Sequence, residues 1–261
     1  LAPRATMATQ LQATHSPAAS TPPPPPPDVR LVSLGPDCGL KYAIEGYLHG
    51  GRHIQSELFD WVQVGLLGMA LVLEHLADEL PYFGVSTWRH MAAHSTASHH
   101  VYEHEPTGMR SVHDAPASKY ASWQEGRDAV SSRYETRRRR LCDILSGGSS
   151  AATTTLRGCE RVCCMHIVDT DNVDNPQPLP DREAVARVVA ALLQLGAAEL
   201  VILADGAACT TEELSMRGVT FMDLRGFLRD GAGDVSKSWR REQYEWKRIF
   251  AQVAEKMSGA R

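Results

Sequence analysis

The sequence predicts a single α/β domain with a mainly parallel sheet and helices on both faces, a three-layer, Rossmann-like arrangement. Three observations predict it. Arg161 to Val168, apolar except for Arg161 and His166, and Leu200 to Ala204, apolar throughout, have the composition and length expected of buried strands. Between them, Val185, Val188, Val189 and Leu192 recur at helical spacing, with Asp181 placed to cap the start and Gly196 to end it. A strand, a helix and a strand of these lengths form a βαβ unit, whose strands pair in parallel. The front of the chain repeats the order, with Val29 to Leu34 stopped by Gly35-Pro36 and followed by helical periodicity.

The elements follow in order. Residues 1–28 are rich in Ala, Thr, Ser and Pro and end in the run Pro22 to Pro27, which favours polyproline II and buries nothing. They are read as a disordered tail, and residues 29–257 as one α/β domain. After the first strand, Leu40, Ala43, Ile44, Tyr47 and Leu48 mark a helix that Asp37 is placed to cap. A second helix is expected from Val62 to Leu80, stopped by Pro81. A third is expected from about Ser118 to Leu145, with Tyr120, Trp123, Arg127, Val130, Tyr134, Leu141 and Ile144 along one stripe. Beyond the βαβ unit come a short helix from about Thr211, a strand Val219 to Asp223, and a closing helix carrying Trp239, Trp246, Ile249, Phe250 and Val253.

Composition narrows the class. A chain of 261 residues buries a sizeable core without disulfide or metal staples. A net charge of −4 gives no whole-chain pull toward nucleic acid or a membrane surface. The longest apolar stretch, Val62 to Leu73, is interrupted by Gln63, Gly65 and Gly68 and falls short of the roughly 20 residues a span needs. Six cysteines in a chain this long point to reduced thiols in a cytosol-like compartment. Arg4, with no acidic residue before Asp28, gives the tail a faint transit-peptide character. The expectation is a soluble, cytoplasmic protein.

In open parallel sheets, ligands sit beyond the carboxyl ends of the strands. Here those ends read Gly35-Pro36-Asp37-Cys38, Asp169-Thr170-Asp171-Asn172, Asp205-Gly206 and Asp223-Leu224-Arg225. Cys38 is the reactive-looking member. A thiol in the first turn of a helix feels the positive end of the dipole and unpaired N–H groups, which favour thiolate and offer an oxyanion site. The bland alternative is a small cysteine filling a turn. His113-Asp114, just before the long helix, supplies a candidate base, with Asp114 either capping the helix or orienting the imidazole; a surface turn is the competing reading.

Other clusters read as structural. His90, His94, His99, His100, His104 and His113 crowd one segment. His90 and His94 have the i, i+4 spacing of a helical zinc pair, but no Glu follows His90 and the order is not helical, so a polar, variable loop is expected there. Cys163 and Cys164 lie in an apolar strand, point to opposite faces and fill the core. Arg137 to Arg140 read as a solvated helix face offset by the acidic loop from Asp169 to Asp181. In Phe59-Asp60-Trp61, Asp60 is expected to cap the helix at Val62 while the aromatics pack; the functional alternative puts Asp60 at the site edge, orienting His113 or a substrate amine.

Ser33-Leu34-Gly35-Pro36-Asp37-Cys38, Ala43 and Phe59-Asp60-Trp61 together resemble the opening of an uncharacterised family of papain-like cysteine peptidases. His113-Asp114, Tyr134 with Arg137 to Arg140, and the pair Trp239 and Trp246 fit its later features, so the likeness spans about Val29 to Phe250. The chain departs from the pattern at Leu58, where proline is usual, and at Asp37, where asparagine is common and where a negative charge works against thiolate. The resemblance implies a Cys38 nucleophile and a His113 base. It also implies a papain-like antiparallel sheet, at odds with the parallel βαβ periodicity.

Two function classes follow. In a cysteine-dependent hydrolase, Cys38 attacks a carbonyl of a peptide or small-molecule substrate, His113 carries the proton, and Asp60, Asp114 or Asn172 orients the imidazole. In a non-catalytic α/β module, a small polar ligand binds at the strand ends, where Gly35, Asp37, Asp171, Asn172 and Asp205 are the candidate contacts. A third, weaker option uses Asp171, Asp205 and Asp223 around a divalent metal. The leading reading needs no cofactor and no metal, and neither nucleic acid nor a membrane is an expected partner.

Overall fold

A computed structural model describes residues 29–35, 38–48, 57–60, 62–78, 80–146, 161–169, 181–196, 199–205, 217–229 and 243–259. The expected tail, Asp37, Trp61, Asp171, Asn172, the short helix from Thr211 and Trp239 lie outside these residues.

The chain opens with β1 (Val29–Ser33) and α1 (Cys38–Leu48). Next come β2 (Val62–Gln63), α2 (Leu66–Glu74), the short strands β3 (Trp88–His90), β4 (Tyr102–His104) and β5 (Met109–Ser111), and the long α3 (Trp123–Leu145). The back half runs β6 (Arg161–Asp169), α4 (Arg182–Gln194), β7 (Glu199–Asp205), β8 (Val219–Asp223) and α5 (Trp246–Gly259). The strands β1-β6-β7-β8 form one sheet, every pair in it parallel.

Successive side chains on a strand point to opposite faces, so β6 and β7 feed two cores. Val162, Cys164, Val168, Leu200 and Ile202 join side chains of α2, α3 and α4, among them Leu73, Tyr134, Val185 and Leu192. Cys163, Met165, Ile167, Val201 and Leu203 join α1 and α5 through Leu40, Ile44, Ile249 and Val253. Helices therefore cover both faces, as the βαβ pattern requires, and the two adjacent cysteines take opposite sides of the sheet.

A plain three-layer domain is not the whole of it. β2, β5, β4 and β3 form a second, antiparallel four-stranded sheet. It replaces two expectations. Val62 and Gln63 pair with Ser111 and Arg110 rather than starting a helix, so α2 begins only after Gly65. The histidine-rich segment is a loop only in its middle, which holds His94, His99 and His100: at its ends Trp88, Arg89 and His90 pair with His104, Glu103 and Tyr102. Trp88, Tyr102 and His104 are buried there, and Arg89 donates to Glu103 across the strands at 2.5 Å.

Helix starts follow their caps. The Asp181 carboxylate accepts from the Glu183 N–H at the start of α4, as its sequence suggests. α3 starts at Trp123, later than the expected start near Ser118, with Ser122 as its cap. The Ser122 hydroxyl accepts from Glu125 N–H at 3.3 Å, and the Glu125 carboxylate accepts in return from Ala121 N–H at 3.2 Å. Among the described residues no helix is long and apolar enough to cross a membrane.

Candidate functional site

The parallel register brings the strand ends to one edge. Asp169 lies opposite Asp205 and Ala204 opposite Asp223, while Ser33 pairs with Met165 on the other side of β6. The chain stays bonded to β6 past the end of β1, with Leu34 N–H donating to Met165 O at 2.7 Å and Ile167 N–H donating to Gly35 O at 3.3 Å. Gly35 then takes φ of 82°, a left-handed value that suits glycine. Cys38, the first residue of α1, carries a half-buried reduced thiol. At the far end of the edge, the Asp223 carboxylate accepts from the backbone N–H and guanidinium of Arg225, which hold its carboxyl below the usual range. No cluster of His, Cys, Asp and Glu suited to a metal occurs among the described residues.

One helical turn after Cys38, Lys41 is 2 % exposed. Its Nζ lies 2.9 Å from Asp60 Oδ2 and 3.7 Å from Glu45 Oε1. Asp60 is fully buried, and its Oδ2 also accepts from Glu57 N–H at 2.5 Å. Its Oδ1 has no hydrogen-bond partner. Asp60 is therefore not the expected cap: the residues after it enter β2, and the carboxylate turns instead to α1. Leu58 and Phe59 on either side of the turn are fully buried and anchor it. Beside it, burial pushes the Glu57 carboxyl up, with Asp60 adding to the rise, against Arg140 at 3.2 Å and Arg30 at 3.6 Å.

Asp114 is the second centre. Its Oδ2 accepts from Ser111 at 3.0 Å, Tyr134 at 2.5 Å and Arg137 at 3.3 Å. Its Oδ1 accepts from Arg137 and Arg133, both at 3.0 Å, and Arg133 also donates to its carbonyl oxygen. Burial alone would raise this carboxyl; Arg137, Tyr134 and Arg133 outweigh it and hold the group below its ordinary value. Burial and the Asp114 charge push the Tyr134 hydroxyl far up, so it stays a donor. The partners Asp114 takes are thus largely on α3.

His113 points outward. It is exposed, with the His99 ring edge-on at 5.7 Å. Crowding by its surroundings and His99 lower its pKa against the pull of Asp114, which favours the neutral imidazole a base requires.

The arginine run is not a solvated face. Arg137 and Arg138 are buried, and Arg138 donates to Glu135 and to the carbonyl oxygens of His75, Leu76 and Asp78. Arg140 reaches Glu57, and Arg139 alone stays largely outside, its side chain 67 % exposed. Burial opposes the Arg137 charge, but Asp114, Tyr134 and Asp60 outweigh it. Arg137 thus contacts Asp114 directly, and its charge is also favoured by Asp60.

The structure therefore pairs Lys41, one helical turn after Cys38, with Asp60, and separately seats Asp114 on Arg133, Tyr134 and Arg137. Gly35 and the backbone of Asp205 lie on the strand-end edge. Two residues were not singled out by sequence. Lys41 sits three positions from Cys38 on a helix that reads as half-solvated. His166 is fully buried in β6 beside the end of β1, donating from Nδ1 to Leu34 O at 3.1 Å. A histidine inside the run from Arg161 to Val168 was the available signal for it. Compared with protein-family models, with curated proteins and with solved structures, the chain finds no match.

Proposed function

We propose that the chain is a cysteine-dependent hydrolase of the papain-like peptidase type, acting on a peptide or small-molecule substrate without a cofactor. The supporting observation is that a buried ion pair ties the helix opened by Cys38 to the turn at Phe59 and Asp60. Lys41 on that helix pairs with Asp60, while Asp114, the neighbour of His113, is held by Arg137, whose charge Asp60 also favours. In this reading the Rossmann-like sheet is the frame, and Gly35, Asp37, Asp171, Asn172 and Asp205 contact substrate along its carboxyl edge. The protein works in the cytoplasm.

The chemistry runs in two steps. The Cys38 sulfur attacks the substrate carbonyl as its proton passes to His113, and a C–S bond forms while the oxyanion takes N–H donors from the first turn of α1. The tetrahedral species collapses, His113 protonates the leaving group, and a thioester remains. Water, deprotonated by His113, then cleaves the thioester and restores the thiol. Asp114 holds its loop and acts on His113 through its charge; Asp60 holds the helix that carries the nucleophile.

The in-register acidic strand ends favour a second reading, a non-catalytic module binding a small polar ligand there. Labelling with a peptidyl epoxide across pH, followed by peptide mapping, separates the two. The hydrolase reading expects Cys38 to be modified first, with an inflection well below the model thiol value of about 8.5. It also expects His113→Ala to slow labelling by about 100-fold or more. Slow labelling that ignores His113 and inflects near the model value leaves the binding module.

A further inference from the structure

We infer that Lys41 and Asp60 are positioning residues for Cys38: their buried ion pair fixes the first turn of α1 and sets the charge felt at its sulfur. The inference rests on Cys38 being the reacting group, and it names what sets that group's reactivity.

Helix geometry places the pair. Residues three apart share a face, with Cβ atoms about 5–6 Å apart, and long side chains lean toward the helix start. Lys41 therefore lies over the turn that Cys38 begins. Its ammonium is nearly sealed from solvent, 2.9 Å from a fully buried carboxylate, so the two charges are screened less by water than surface charges are. Five other charged groups act on or near the pair: Glu45 on α1, Glu57 in the turn, Arg30 on β1, and Arg137 and Arg140 on α3.

Stability alone explains the pair poorly. An apolar pair of similar volume serves a purely structural turn at least as well as a buried ion pair does. Asp60 also keeps one buried oxygen without a hydrogen bond, a cost that structural carboxylates such as Asp114 avoid by filling both oxygens. What the pair supplies is a fixed arrangement of two opposite charges beside the thiol. Lys41 favours the thiolate and Asp60 opposes it.

That opposition makes the test. The rate of iodoacetamide reaction at Cys38 in the full chain is followed against pH by peptide mapping. Lys41→Met is expected to raise the inflection by about one pH unit, and Asp60→Asn to lower it. The double variant returns it close to the parent value. Shifts in the same direction, or none, overturn the inference, because a merely structural pair has no reason to move the thiol in opposite senses. Since removing one buried partner can unfold the chain, Glu45→Gln is the gentler variant. It removes the carboxylate 3.7 Å from Lys41 while leaving the Asp60 contact intact, and it should lower the inflection by a few tenths of a unit; no movement overturns the inference. Labelling that ignores His113→Ala while these shifts persist fails the hydrolase reading alone. Intact His113 dependence without the shifts fails this inference alone.

Discussion

Two regions of the molecule are equally buried and held by different forces. Between α4 and α5, Val201, Ile202 and Leu203 of β7 have no exposed surface and belong to the two apolar cores. Around the turn at Asp60 and the loop at Asp114, the buried groups include Lys41, Asp60, Asp114 and Arg137. The first region is stabilised in proportion to the apolar area removed from water, roughly 25 cal/mol per Å², and scarcely notices pH. The second balances costly desolvation against close ion pairs, so its stability depends on every member being present. Burial alone therefore does not say which side chain can be replaced. It is the second region that carries the candidate chemistry.

The comparison can be broken by mutation. Asp114→Ala leaves Arg137 buried without its partner, and a loss of about 3–5 kcal/mol is expected in denaturant unfolding at neutral pH. A loss below about 1 kcal/mol would mean the network relaxes into water. Leu203→Ala should cost about 2–5 kcal/mol, through lost transfer energy and a cavity. The two variants part company in acid. The Leu203→Ala penalty stays constant, whereas the Asp114→Ala penalty shrinks once the parent carboxyl protonates.

Histidine sharpens the same contrast. Burial pushes the His104 imidazole down to about 4 from 6.5. Its folded value is depressed, so the unfolded chain binds the extra proton between these limits. The His104 contribution is whole above about 6.5 and is lost as pH falls through about 4. Asp114, also depressed, adds a further loss at lower pH. Glu57 runs the other way: its raised value means a contribution present in acid and lost as pH rises through the folded value. Unfolding midpoints measured from pH 7.5 downward, flattened between about 6.5 and 4 in His104→Gln, would check the sign. The smallest effect belongs to neither region. Ser122→Ala removes the α3 cap and should cost about 1 kcal/mol, read from the same unfolding curves.

What the sequence made legible follows this division. β6, α4 and β7 could be read because long apolar runs and a 3.6-residue stripe are local signals, and parallel pairing then follows from their order. The opposite faces of Cys163 and Cys164 came from the same alternation. The antiparallel sheet was illegible because its strands are two or three residues long, too short to show a period. The arginines misled because charge along a helix does not reveal a partner elsewhere: Arg138 reaches carbonyl oxygens about 60 positions away in the chain. Asp60 looked like a helix cap because its local setting fits one, while its actual partner lies on the helix before it. Lys41 carried no mark at all, since a lysine on a helix is ordinarily solvated.

The two neighbouring cysteines of β6 make a built-in pair of reporters. Among the described residues, Cys163 belongs to the core shared with α1 and α5, and Cys164 to the core shared with α2, α3 and α4, where burial lifts its thiol to about 12. Slow modification of one before the other would tell which half of the molecule breathes first. Equal rates would mean that the sheet loses both its coverings in a single event.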